Sequence, residues 1–314
     1  MERHVRMHET GGRVRLLVLC LTVMFALAGI AAASASAKLP EWGKCELTAE
    51  HTGGKYADPG CTVPVKKVHH DYPGGYEWTP LGEGHENFLT YSESHPVEQP
   101  SGLTIVLADG HTVKCGVLEG EDELSLTFAG SQTTIAPLLR YERCVNDEGY
   151  SCNSTDSAAP GEFTTEGPWG KAWEEEEGGW TGTLRYIEGK DGSHPVVGIA
   201  YQTNLEHEAF TTVNCKGAGA IQGLVIGGDK HKEALTAQFT QVNEMRTGYT
   251  VSFNQSGSVQ QPAEFEGKKA TPLHAQLNGG EWETIGLEAT MTFPEVYSHN
   301  GTGNKEEFEL KATP

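Results

Sequence analysis

Between Ile285 and Phe293 every second residue is apolar. Ile285, Leu287, Ala289, Met291 and Phe293 fall on one side of an extended chain, with Gly286, Glu288, Thr290 and Thr292 on the other. A period of two places alternate side chains on opposite faces of a strand, and no helix reproduces it. The pattern recurs at Leu103, Ile105 and Leu107; at Val113, Cys115 and Val117; and at Leu124, Leu126 and Phe128. It returns at Leu235, Ala237 and Phe239; at Tyr249, Val251 and Phe253; at Leu273, Ala275 and Leu277; and at Phe308 and Leu310. No stretch shows convincing helical amphipathicity. Short alternating strands separated by turn residues predict an all-β chain, an antiparallel β-sandwich or barrel of about a dozen strands.

One hairpin should lie centrally in that sheet. Phe210–Cys215 is rich in β-branched and aromatic residues, and Ile221–Ile226 is a short apolar run. Gly217 and Gly219 between them supply the positive-φ positions of a tight reversal.

The N-terminus has the form of an export signal. Arg13 and Arg15 precede an apolar Leu16–Ile30 stretch, and Ala35-Ser36-Ala37 is the small-x-small pattern of a signal peptidase site. Residues 1–37 are expected to be removed, with Ala35 the second choice of site. The apolar run is short for a membrane span. Leu19, which precedes Cys20, is too large for a lipoprotein signal. A secreted, extracellular protein without a transmembrane anchor is therefore expected.

Without the leader, 19 basic side chains face 41 acidic ones, a net charge of −22. That balance excludes nucleic acid as a partner, which calls for basic patches. It favours solubility and a weak attraction for cations.

Six cysteines remain after the leader: Cys45, Cys61, Cys115, Cys144, Cys152 and Cys215. An even number behind an export signal predicts three disulfides. With no CxxC pair and no Cys/His zinc spacing, neither metal nor cofactor is expected. Cys45 should clip to Cys61, and Cys144 to Cys152 across a short surface loop. That leaves Cys115 to meet Cys215 between two strands.

Residues 38–85 have their own cysteine pair and three short aromatic phrases, and a polar, Pro-ended connector follows at 86–100. They are expected to form a small disulfide-clipped N-terminal module beside a main β domain spanning 86–314. Trp42, Tyr56, Tyr76 and Trp78 are its aromatics, assigned to core rather than to a binding face. His69-His70-Asp71 is expected to be an exposed turn.

Glu174–Glu177 lies between Trp173 and Trp180. Calcium loops space their carboxylates and include a turn glycine, so the run is expected to be a solvated acidic loop. Trp169, Trp173 and Trp180 around it are the aromatics expected to face a ligand. There is no G-x-S-x-G elbow, no HExxH, no P-loop and no dinucleotide fingerprint. Paired carboxylates for glycoside hydrolysis leave no linear motif.

The phrases LPEWGKCE, GKYADPGC, GGYEWTP, HTVKCG, QQPAEFEG and LNGGEWETIGLEATMTF resemble those of a group of secreted β-rich proteins present in many copies in actinobacteria. The resemblance runs over most of the chain after the leader. It implies export and an all-β fold and supplies no catalytic residue. The expected function is thus an exported, non-catalytic binding or structural protein of the cell surface or medium, its partner a cell-wall or extracellular glycan. The runner-up is a secreted carbohydrate-active hydrolase using paired carboxylates.

Overall fold

The computed structural model describes residues 39–49, 53–81, 87–90, 102–116, 125–128, 130–138, 140–154, 160–164, 180–188, 195–203, 209–217, 221–227, 232–293, 296–298 and 305–312. Every regular element among them is a β-strand, and all strand pairs are antiparallel. The described residues form twenty-six strand segments in four sheets, where about a dozen strands were expected. The excess consists of two- to four-residue ladders such as Met245–Arg246 and Glu264–Phe265, too short for an alternation to register in sequence.

Fifteen strands make the principal sheet, whose order runs open from Phe163–Thr164 at one edge to Lys305–Glu306 at the other. Gly286–Phe293 lies inside it between Thr104–Val106 and Tyr249–Ser256, and its apolar side is buried throughout. The Ala209–Cys215 and Leu224–Gly227 hairpin lies among the inner strands, as expected, but of a separate five-stranded sheet and not of the principal one. Trp180 of the principal sheet meets Phe210 of this second sheet edge-on, with ring centroids 5.5 Å apart. The layers thus share one apolar core, in the manner of a sandwich. No described helix is long and apolar enough to cross a membrane.

The four-stranded sheet is ordered Met245–Arg246, Phe308–Lys311, Glu41–Leu47, Tyr76–Pro80. Its inner face carries Trp42, Phe308 and Leu310, all fully buried. Trp42 packs edge-on against Phe239 at 5.3 Å and Tyr249 at 4.8 Å, both of the principal sheet. The boundary expected near residue 85 therefore has no counterpart in the packing. Glu41–Leu47 pairs with the C-terminal strand, and Leu39–Pro314 forms one compact unit. Among the described residues of the 38–85 stretch, the largest inward side chain, Trp42, packs into the common core.

Three disulfides close the chain: Cys45–Cys61, Cys115–Cys144 and Cys152–Cys215. The first is as expected, and the other two correct the expected Cys115–Cys215 and Cys144–Cys152 pairs. Cys152 and Cys215 sit directly opposite one another on neighbouring strands. Thr112–Gly116 pairs with Arg140–Asn146 through a bulge, where the register jumps from Lys114↔Val145 to Gly116↔Glu142. Arg143, at φ 57°, and Cys144 together oppose the single residue Cys115 across that bulge, which brings Cys144 to Cys115.

Candidate functional site

The outer face of the four-stranded sheet follows from the same alternation. If Trp42, Phe308 and Leu310 point inward, then Gly43, Cys45, Leu47, Glu309 and Lys311 point outward. Residues directly opposite on paired strands share a face. Tyr76 is opposite Leu47 on one side and Tyr56 on the other, and Tyr56 is opposite Pro64. Leu47, Tyr76, Tyr56 and Pro64 therefore form a cross-strand row, with Leu47 51% exposed. Trp78 lies two residues along from Tyr76, opposite Cys45. Of the four aromatics assigned to core, only Trp42 is core; Tyr56, Tyr76 and Trp78 are half-buried on this outer face.

Glu309 and Lys311 meet beneath these rings. Glu309 is only 3% exposed, and its carboxylate is 3.5 Å from the Lys311 ammonium. The ammonium donates to the Tyr56 hydroxyl at 3.1 Å. It also stands 4.6 Å from the Tyr56 ring centroid and 5.0 Å from that of Trp78, within cation–π range. Burial pushes the Glu309 carboxyl above the ordinary glutamate range. The Lys311 charge and hydrogen bond and the Trp78 indole pull it back, and Asp58 adds to the rise. Glycine is required at position 43: a Cβ there would stand 2.3 Å from the Trp78 ring and 2.6 Å from the Thr79 carbonyl. Asp58, by contrast, caps its own loop, accepting from the backbone N–H groups of Gly60, Thr62 and Val63.

A pocket of about 430 Å³ opens where the Met245–Arg246 edge meets the principal sheet. Gln241, Thr247, Thr250 and Thr292 line it with hydroxyl and amide groups, and Arg246 and Glu307 bring the charges; Tyr249 and Phe293 border it with their side chains buried in the core. The polar groups are already arranged. The Thr250 backbone N–H donates to the Gln241 side-chain carbonyl at 2.8 Å, and the hydroxyls of Thr250 and Thr292 are 3.1 Å apart. The Tyr249 hydroxyl donates to the Phe308 carbonyl, fixing the pocket against the C-terminal strand. Thr250 and Thr292 face one another from paired strands, 42 residues apart in sequence, and no local motif joins them, so the sequence alone did not single this pocket out.

Trp180, expected to face a ligand, is 1% exposed and packs on Phe210, because it starts a central strand with its side chain toward the core. Trp169, Trp173 and the Glu174–Glu177 run lie outside the described residues. His69 and His70 form the exposed turn expected of them. Val68 and Asp71 exchange both backbone hydrogen bonds, and the two histidines between them adopt φ 48° and 79°. Among the described residues no three His, Cys, Asp or Glu side chains converge as metal ligands. The chain matches no protein-family model, no curated protein and no solved structure.

Proposed function

We propose that the chain is an exported, non-catalytic binding protein that takes an extracellular glycan in the pocket formed by Gln241, Thr247, Thr250, Thr292 and Arg246. One observation carries this reading: a 430 Å³ cavity lined by the uncharged donors and acceptors of Gln241, Thr247, Thr250 and Thr292. Its size lies within the range of small-ligand sites. Sugars present many hydroxyls, so such a lining complements them in kind. The three disulfides support export, since cross-links of this kind persist in oxidising surroundings. The signal-like leader in the sequence supports the same destination. A hydrolase with two carboxylates draws no support from the pocket, whose described lining contributes one carboxylate, Glu307.

Calorimetric titration of the secreted protein with soluble cell-wall oligosaccharides tests the proposal. Saturable binding is expected. It should weaken by about tenfold in Arg246→Ala and in Thr292→Val, each removing one polar partner of roughly 1.4 kcal/mol. Absence of binding to any glycan, or binding that neither substitution alters, would refute it.

A further inference from the structure

A second site stands apart from the pocket. We propose that Tyr56, Trp78 and Glu309 form a recognition site for an organic ammonium group, filled in the free protein by the chain's own Lys311. The inference does not depend on the glycan pocket.

Its geometry is that of a cation cage. Two aromatic rings lie within 5.0 Å of the ammonium, a phenolic hydroxyl accepts from it at 3.1 Å, and a buried carboxylate stands 3.5 Å away. Ring faces and a desolvated anion together favour a compact positive charge, and such surroundings recognise alkylammonium ligands. A strap needed only for strength would not look like this. Replacing a buried ion pair by apolar residues of similar volume is often neutral or stabilising. The rings are also not sealed in: Tyr56 and Trp78 remain half-exposed, and the Lys311 side chain keeps 16% of its surface. The seat is preformed, because Gly43 leaves the space in which the Trp78 ring lies. Asp58 nearby adds negative potential at Glu309, and the whole chain, at −20, draws cations toward it.

A ligand must displace Lys311 to enter. The intrinsic affinity of the cage is therefore reduced by the fraction of time that the lysine leaves it open. The ligand chemistry is a protonated or quaternary amine, carried either by an amino sugar or by a small alkylammonium ion.

The test uses the secreted chain and follows tryptophan fluorescence and binding heat. The probes are tetramethylammonium, methylammonium and glucosamine oligomers, with N-acetylglucosamine oligomers as the uncharged control. Wild-type protein should bind at least one amine probe weakly and saturably and should ignore the acetylated control at this site. Trp78→Phe should abolish the fluorescence response. Lys311→Ala should bind about tenfold more tightly, the internal competitor having gone. Lys311→Met, which keeps the stem on the rings, provides the same comparison if the alanine variant does not fold. Glu309→Gln should weaken binding in both backgrounds. Response to the glucosamine oligomers alone assigns the amino sugar, and response to the small ions alone assigns the alkylammonium. Three results would each overturn the proposal: no amine binding by wild type, an affinity unchanged in both Lys311 variants, or a Trp78-dependent fluorescence response to the acetylated control equal to that to the amines.

Discussion

Removing the Cys152–Cys215 bridge should cost more stability than removing either of the others. The bridge spans 63 residues, against 29 for Cys115–Cys144 and 16 for Cys45–Cys61. Loop-closure entropy then gives about 4.3, 3.6 and 3.1 kcal/mol respectively at 25 °C. The order is reinforced by burial, because Cys152 and Cys215 are both in the core whereas Cys45 is half-exposed. Paired alanine substitutions avoid leaving a free thiol or a buried hydroxyl. For a domain of this size each kcal/mol shifts the midpoint by about 2 °C or a little more, so the Cys152→Ala/Cys215→Ala protein should melt roughly 10 °C lower. Urea unfolding followed by fluorescence at fixed pH should separate this variant from Cys45→Ala/Cys61→Ala by about 1 kcal/mol. Non-reducing peptide mapping gives the independent check. A loss for the 152–215 pair equal to or smaller than that for the 45–61 pair would refute the entropic ordering. A peptide joining Cys115 to Cys215 would refute the strand registers from which it was worked.

Glu309 makes stability depend on pH in a stated direction. Its folded pKa is raised above the ordinary glutamate value, so its contribution is fully present below that value and is lost as pH rises through the folded pKa. Urea unfolding of wild type and Glu309→Gln from pH 4 to 7 should show wild type losing stability relative to the variant as pH increases; the opposite slope would mean that Lys311 outweighs burial. At the hairpin tip, His69→Asn with His70→Gly replaces two side chains held at positive φ by the residues that such a turn favours. Thermal melts should show a gain of about 1 kcal/mol.

The strands were legible because burial on one side writes a period of two into the chain. Leu287, Ala289, Met291 and Phe293 are buried, and Glu288 between them is exposed, as the alternation of that segment requires. The cysteine pairing was not legible in the same way. Cys115 meets Cys144 because Arg143 takes a left-handed conformation and the ladder slips there, and neither event has a signature in the spacing of the cysteines. Trp42 and Trp78 show the same limit from another side. Each sits in a short strand beside charged neighbours, and each looks able to face either way. The Glu41–Leu47 strand buries Trp42 because Phe239 and Tyr249, some two hundred residues later, present a surface for it.

The candidate cage was half-written in the C-terminal phrase Phe308-Glu309-Leu310-Lys311. Apolar residues at 308 and 310 put a glutamate and a lysine together on the other side of the strand, and that much follows from period two alone. On an open face such a pair would be an ordinary surface ion pair of small worth. It becomes chemistry only because Cys45–Cys61 closes a loop that carries Tyr56, and because Gly43 lets Trp78 lie across the neighbouring strand. Tyr56 and Lys311 are 255 residues apart, and no local pattern joins them. Burial raises the Glu309 pKa, and the Lys311 ammonium is the cation beside it. The disulfide at one end of the chain thus closes the loop whose Tyr56 lies against the ion pair at the other end.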